Sequence, residues 1–210
     1  MTHTRILNTQ DPEAISSAFD IIKSGGTIAF PTDTVYGLAV DPFNPQAINR
    51  IYAIKERSME KAIPILIGDF EQLGNLVSEI NETAKILAQN FWPGPLTLIL
   101  PKAPILPEAL SLYPTIGIRM PNHEFAINLM RRAGALATTS ANISGDANPR
   151  TGLDVLSQLG GRIDLLLDGG ETPGAVPSTV VDISTKPIRL LRGGLITRSD
   201  LSALLGEDVL

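Results

Sequence analysis

The segment from Gly25 to Ile67 constrains the fold more than any other part of the chain, because it joins an apolar run, a polar loop and a helix. The apolar run at 27–30 predicts a β-strand, and the proline that follows it favours extended geometry, so the strand leads directly into the loop. The loop carries the hydroxyl groups of Thr32 and Thr34. Open α/β sheets hold ligands at the carboxyl ends of their strands, so the segment predicts a ligand-binding loop.

The helix that follows this loop ends beside a group of cations. Asn44 is a favourable N-cap and Pro45 suits the first helical position, so we expect the helix to begin there. Lys55, Arg57 and Lys61 then fall at or just beyond its C-terminal end. Cations are also favoured at this end by the helix macrodipole, so taken alone they indicate a solvated helix end as much as an anion site.

Apolar strands and amphipathic helices alternate along the rest of the chain. The spacing of apolar residues predicts helices at 11–23, 80–91, 123–132, 154–159 and 197–205, and strands at 62–67, 96–100, 115–120, 136–139, 163–167, 180–183 and 188–191. This alternation predicts a layered α/β fold. With 210 residues and no linker of biased composition, we expect a single domain over 1–210, with its core at about 15–195.

Composition excludes several classes of function. The chain has no cysteine and only two, widely separated histidines, which argues against disulfides and against an intrinsic transition-metal site. A net charge of −5 argues against a broad surface that binds polyanions. No run is long and apolar enough for a membrane helix and no signal sequence is evident, so the sequence predicts a cytoplasmic protein that does not contact a membrane. The P-loop and dinucleotide-binding glycine motifs are also missing, so a nucleotide would bind in another way.

Further polar side chains lie at the predicted ends of strands. Arg119 and Arg192 each end an apolar strand, and arginine binds phosphate or carboxylate through two parallel hydrogen bonds. Hydroxyl and amide groups occupy comparable positions at Thr32, Thr34, Thr115, Thr138, Ser140, Asn142 and Ser178. Each of these residues alone also fits a structural role, in a strand, a turn or a helix cap.

Six segments together resemble the YrdC/Sua5 family. They are PTDTVYGL (31–38), KER (55–57), FWPGPLTLIL (91–100), TIGIRMP (115–121), TSAN (139–142) and PSTVVD (177–182), in this order. The resemblance spans roughly residues 25–194. The chain resembles the short, single-domain form of the family. It implies a YrdC-like twisted mixed sheet, flanked by helices, with a large concave basic cavity.

The resemblance also implies an activity and a set of site residues. Family members are threonylcarbamoyl-AMP synthases, which use ATP, L-threonine and bicarbonate or CO2 for the t6A modification of tRNA, so Mg²⁺ is expected with the ATP. The residues implied for ATP are Lys55, Arg57, Lys61, Thr115, Ser140, Asn142 and Arg192, of which Lys55, Arg57, Ser140 and Asn142 are the expected catalytic group. Those implied for L-threonine are Thr34, Arg119, Thr138 and Ser178, with Thr32 as a neighbour. The product would pass to the machinery that transfers threonylcarbamoyl to tRNA.

The sequence leaves two alternatives to the synthase. The first is a module that binds double-stranded RNA or tRNA in the concave surface, which the acidic composition disfavours. An enzyme of this family could also bind tRNA weakly. The second is a paralogue that uses another acyl or amino-acid substrate. Many relatives have histidine five residues after the position that matches Lys61, and this chain has Leu66 there.

Overall fold

A computed structural model describes residues 3–174 and 176–210, and within these residues it shows one ten-stranded mixed sheet flanked by helices. The strands are Arg5–Asn8 (β1), Ile28–Phe30 (β2), Gly37–Val40 (β3), Ile65–Leu66 (β4), Leu96–Pro101 (β5), Thr115–Arg119 (β6), Leu136–Ser140 (β7), Leu165–Asp168 (β8), Thr179–Asp182 (β9) and Arg189–Arg192 (β10). The α-helices are Ala14–Lys23 (α1), Pro45–Lys55 (α2), Glu82–Phe91 (α3), Glu124–Ala133 (α4), Gly152–Leu159 (α5) and Arg198–Leu205 (α6). The predicted α/β fold is confirmed.

The order of strands across the sheet brings distant parts of the chain together. The order is β1-β8-β2-β3-β7-β4-β6-β5-β9-β10. Four neighbouring pairs are parallel (β1 with β8, β2 with β8, β4 with β6, β5 with β9), and the other five are antiparallel. As a result, the loop after β2 contacts Arg119 at the end of β6, and the start of β9 lies beside β5, the neighbour of β6.

One face of the sheet is covered over most of its width by the larger hydrophobic core. Ile51 of α2, Leu87 of α3 and Val155 of α5 are buried in this core. They share it with sheet residues such as Leu38 of β3 and Ile118 of β6. Burial of this apolar surface provides the main stabilisation of the fold.

The second face is covered over only part of its width. Ile22 of α1 and Met130 of α4 form a smaller core with Ile28 of β2 and Leu165 of β8. The same core includes Ala39 of β3, Leu136 of β7 and Leu66 of β4, so the two helices cover β1, β8 and β2 and part of the next strands. The rest of this face stays open.

The ends of several elements differ from the sequence-based boundaries. Helix α1 begins at Ala14 rather than at the predicted Asp11, because the Asp11 carboxylate accepts a hydrogen bond from the Asn8 backbone amide, 2.8 Å away, in the preceding turn. The predicted strand at 62–67 joins the sheet ladder only at β4, since Pro64 has no N–H to donate. The longest described helix, α2, has 11 residues, and no described helix could cross a membrane.

The start of α2 confirms the predicted cap. The Asn44 side chain accepts a hydrogen bond from the Ala47 backbone amide at 3.0 Å, and Pro45 is the first helical residue. Strands β1 and β3 were not predicted. Strand β3 pairs antiparallel with both β2 and β7, so it places the polar loop before it beside the centre of the sheet.

Candidate active site

A cavity of about 420 Å³ opens on the part of the second face that α1 and α4 leave uncovered. Its floor consists of residues from neighbouring strands: Gly37 of β3, Thr138 of β7, Leu66 of β4, Gly117 of β6 and Thr97 of β5. Side chains alternate between the two faces of a strand, so the residues next to these point into the larger core. The volume lies within the range of roughly 300–1,000 Å³ that is usual for small-molecule sites.

The lining of this cavity is cationic and rich in hydroxyl groups. Arg57, Arg119 and Arg192 line it, and no lining residue in the described part of the chain is acidic. The other polar lining residues are Thr32, Thr34, Tyr36, Thr97, Thr138, Thr139, Ser140, Asn148 and Ser178. Guanidinium groups beside hydroxyl donors suit phosphate and carboxylate ligands.

Most of the predicted site residues meet in this cavity. Eight of them line it: Thr32, Thr34, Arg57, Arg119, Thr138, Ser140, Ser178 and Arg192. Lys55, Lys61, Thr115 and Asn142 lie outside the lining, and direct contact between these four and a ligand stays a prediction. Thr115 is on the same side of β6 as Gly117 and Arg119, beyond the edge of the cavity.

Lys55 lies beneath the wall of the cavity. Its side chain is only 1% exposed, and its ammonium group donates to the backbone oxygens of Ser140 and Asn142, each at 2.5 Å. The Asn142 side-chain oxygen accepts a third hydrogen bond at 3.2 Å. Burial, and to a smaller extent the charge of Arg57, lowers the pKa of Lys55 to about 7, while the three oxygens favour the charged form. Lys55 therefore fixes the turn that presents Ser140 to the cavity.

Arg57 reaches the cavity because the chain turns sharply after α2. Glu56 has a left-handed backbone conformation, with φ of 53°, so Arg57 leaves the direction of the helix. The Arg57 guanidinium donates to the backbone oxygens of Lys61 at 3.3 Å and Ala62 at 3.1 Å. Burial lowers the pKa of Arg57, but a guanidinium stays charged at neutral pH. The side chain of Lys61 is exposed, so it is the Lys61 carbonyl that orients Arg57.

Arg119 joins the polar loop to the end of β6. Its Nε donates to the Gly94 oxygen at 3.0 Å, and Nη1 donates to Thr34 Oγ1 at 3.3 Å. Nη2 donates to the Asp33 carboxylate at 2.5 Å, and both side chains of this ion pair are largely buried. Thr32 Oγ1 lies 3.1 Å from Thr34 Oγ1, so the predicted loop residues form one connected network with Arg119.

Arg192 and Ser178 lie together on the opposite side of the cavity floor. The guanidinium of Arg192 donates to the Ser178 backbone oxygen and to Ser178 Oγ, each at 3.0 Å. Ser178 Oγ is in turn 2.8 Å from Thr97 Oγ1. Burial, followed by the charge of Arg119, lowers the pKa of Arg192.

Sequence reasoning missed four of the polar lining residues, Tyr36, Thr97, Thr139 and Asn148. Tyr36 is fully buried, and its hydroxyl group lies 2.7 Å from the Gly170 oxygen and 3.0 Å from the Asp168 carboxylate. It also accepts a hydrogen bond from the Gly169 amide at 3.1 Å. The run Asp-Gly-Gly directly after an apolar strand was the signal for a second loop at this edge, but nothing in the sequence connects it to Tyr36.

Replacing Tyr36 with phenylalanine is expected to lower the free energy of unfolding by about 1 kcal/mol, since the hydroxyl group loses its hydrogen bonds to the partly exposed segment 168–170. Urea-induced unfolding measures this change. The matched control is Tyr113→Phe, because Tyr113 is 56% exposed and its hydroxyl group can bond to water. Equal stability of both variants and the parent protein would contradict the assigned network.

The hydroxyl group of Tyr36 also predicts a dependence of stability on alkaline pH. Burial is the main cause that raises the pKa of Tyr36 from 10.0 to about 12. Between these values the unfolded chain has lost the proton and the folded chain keeps it, so this contribution to stability is present below pH 10 and is lost as the pH rises towards 12. Unfolding curves across this range should show the loss in the parent protein. Tyr36→Phe should lack this part of the pH dependence, and an identical dependence in both proteins would contradict the assignment.

Comparison with known proteins agrees with this architecture. The sequence profile of the Sua5/YciO/YrdC family, described as telomere recombination, matches residues 20–194. A threonylcarbamoyl-AMP synthase of Pyrococcus abyssi is 40% identical over 195 residues, which cover 92% of this chain and 57% of the relative. A putative threonylcarbamoyl-AMP synthase of Mycobacterium tuberculosis is 35% identical, and the match covers 98% of this chain and 97% of the relative.

The structural comparison extends over the whole chain. The crystal structure of P. abyssi Sua5 complexed with L-threonine matches with a TM-score of 0.91 at 37% identity, covering 100% of this chain and 62% of that protein. This chain thus spans less than two thirds of the Pyrococcus relatives. The family profile and the level of identity show that the chain belongs to the Sua5/YciO/YrdC family.

Proposed function

We propose that the protein is an L-threonylcarbamoyladenylate synthase, a nucleotidyltransferase that forms threonylcarbamoyl-AMP and pyrophosphate from L-threonine, bicarbonate or CO2, and ATP. The observation that carries this proposal is the convergence of three arginines and many hydroxyl groups, from distant parts of the chain, on one cavity. The names of the relatives support the activity. The L-threonine complex of P. abyssi Sua5 supports an amino-acid substrate.

The reaction needs no nucleophile from the protein. The amine of threonine loses one proton to solvent and attacks CO2, and the nitrogen then releases a second proton to solvent, which gives the carbamate. A carbamate oxygen then attacks the α-phosphorus of ATP, the bond between this phosphorus and the bridging oxygen breaks, and pyrophosphate leaves. Both reactants are anions, so the protein's part is to hold them together and to neutralise charge, which positioned guanidinium groups do well in a water-poor cavity.

The cavity offers a group of residues to each substrate. At the amino-acid end, Arg119 would bind the carboxylate, and the hydroxyl groups of Thr32, Thr34, Thr138 and Ser178 would bind the rest of threonine. At the nucleotide end, Arg57 would bind phosphate oxygens, with Ser140, Lys61 and Thr115 nearby. Arg192 contacts Ser178, so it would bind phosphate oxygens where the two substrates meet. Lys55 and Asn142 would act mainly by holding the turn that contains Ser140, since the Lys55 ammonium already has three oxygen acceptors.

ATP would enter as its Mg²⁺ complex. The described residues hold no group of three or more metal-ligating side chains, and the cavity lining offers arginines and hydroxyl groups rather than carboxylates. This donor set fits the phosphates better than it fits the metal. The Mg²⁺ ion would therefore be held by phosphate oxygens and water, which is common for this ion.

The product would serve the t6A modification of tRNA in the cytoplasm, through transfer machinery that receives threonylcarbamoyl-AMP. Direct RNA binding is not required for this role. A titration with tRNA at several salt concentrations separates the enzyme from an RNA-binding module, since tight and steeply salt-sensitive binding is expected only for the module.

A pyrophosphate-release assay tests the proposed function. Release should require ATP, L-threonine and bicarbonate together, and mass spectrometry should detect threonylcarbamoyl-AMP. Leu66 lines the cavity, so serine and carbamoyl phosphate are tested in parallel as substitutes for threonine and bicarbonate. Faster turnover with either substitute would favour the paralogue with another substrate, and no turnover with any combination would refute the synthase.

A further inference from the structure

The charge of the cavity presents a problem for an amino-acid substrate. Three arginines line it, and no lining residue in the described ranges 3–174 and 176–210 is acidic. A free amino acid carries an ammonium group as well as a carboxylate. Arginines attract the carboxylate, but they repel the ammonium group unless a nearby anion compensates them.

Asp33 is the carboxylate in contact with this cluster. Its Oδ1 accepts a hydrogen bond from Arg119 Nη2 at 2.5 Å, and the side chains of Arg119 and Asp33 are only 8% and 13% exposed. The other two cavity arginines have different partners: Arg57 donates to backbone oxygens, and Arg192 donates to the two oxygens of Ser178. Asp33 thus concentrates negative charge at one end of the cavity.

The remaining contacts of Arg119 keep this charge pair in place. Gly94 and Thr34 accept hydrogen bonds from Nε and Nη1, so the guanidinium is held on three sides. A guanidinium has five N–H donors, and three are used in these contacts. The other two have no acceptor among residues 3–174 and 176–210, so they can bind a substrate carboxylate while the contact with Asp33 persists.

We propose that Asp33 determines specificity: its carboxylate, held against Arg119, makes this end of the cavity favour a zwitterionic amino acid over an anion that lacks the ammonium group. This inference rests on the proposed function, because it assumes that an amino acid binds at Arg119. Asp33 need not touch the substrate. Two charges about 6 Å apart near a protein surface still interact strongly enough to change binding about tenfold or more.

Other ionisable groups near Asp33 do not cancel its charge. His123, at the start of α4, is close enough for Asp33 to raise its pKa, but burial is the larger effect and lowers that pKa below 6.5. His123 is therefore mostly neutral at neutral pH. Arg119 remains the cation that pairs with Asp33.

Binding measurements with two probes test this inference. The probes are L-threonine and 2,3-dihydroxybutanoate, which has the same carbon skeleton with a hydroxyl group in place of the amine. Isothermal titration calorimetry gives the dissociation constant of each probe for the parent protein and for Asp33→Asn. We expect the parent protein to bind threonine more tightly than the other probe. Asp33→Asn should reduce this preference about tenfold or more, chiefly by weakening the binding of threonine.

Two variants control for charge and for folding. Asp41→Asn removes the same charge from a loop outside the cavity, where Asp41 accepts a hydrogen bond from the Phe43 amide, and it should keep the preference. Asp33→Glu keeps the carboxylate and should retain most of the preference even if Asp33→Asn is unstable.

Each outcome has a distinct meaning. If Asp33→Asn weakens the binding of both probes equally, Asp33 only positions Arg119 and the inference is wrong. The same conclusion follows if Asp33→Glu loses the preference while it remains folded. If the parent protein binds neither probe, the proposed function fails, and the inference fails with it.

Discussion

Replacing Arg57 with alanine lowers the rate of threonylcarbamoyl-AMP formation by about 100-fold or more in our account, which is the usual scale for the loss of one electrostatic stabiliser. Arg57 lines the cavity, is half-buried, and is held by the Lys61 and Ala62 carbonyls, so no other side chain can take its place without moving the chain. Pyrophosphate release at saturating ATP, threonine and bicarbonate measures the rate.

Two further variants test whether the loss of rate comes from removing the Arg57 guanidinium from the cavity. Arg57→Lys keeps the charge but not the planar fork, so it should recover only part of the rate. Arg198→Ala removes an exposed arginine from the first turn of α6 and should keep the parent rate. An unchanged rate in Arg57→Ala would remove Arg57 from the catalytic group.

Replacing Lys55 with methionine is expected to cause the largest loss of stability, about 3 kcal/mol in the free energy of unfolding. The variant keeps the length and apolar character of the side chain, but it removes the donor to the buried Asn142 oxygen and to the partly buried Ser140 oxygen. An unsatisfied buried group costs about 1–3 kcal/mol. Chemical denaturation followed by circular dichroism measures the change.

Lys61→Met is the matched control for this effect. The Lys61 side chain is exposed, so the control should change the free energy of unfolding by no more than about 0.5 kcal/mol. If Lys55→Met is as stable as the control, the buried ammonium does not hold the turn. A Lys55→Met variant that is fully stable but inactive would instead indicate direct contact between Lys55 and ATP, which is the role that the family resemblance implies.

The sequence predicted much of the fold because its strongest signals are local. Asn44 followed by Pro45 sets the start of α2, and apolar runs set most of the strands. Strand β3 was missed since its four residues follow directly on the polar loop, and its place depends on pairing with β2 and β7. Pairing between distant segments leaves no local trace.

In the candidate site, too, some features could be predicted from the local sequence and others could not. Arg119, Ser140 and Arg192 were predicted from their positions at strand ends, and the structure brings them to one cavity. The burial of Lys55 could not be predicted, because a cation at the end of a helix is normally solvated. Nor could the contact between Asp33 and Arg119, which depends on how the polar loop folds back over β6.

A crystal structure with L-threonine and a non-hydrolysable ATP analogue tests the central claim most directly. Our account predicts both ligands in the one cavity, with the threonine carboxylate on Arg119 and phosphate oxygens on Arg57 and Arg192. Ligands bound at separate surfaces, or a cavity that stays empty at saturating concentrations of both, would contradict it.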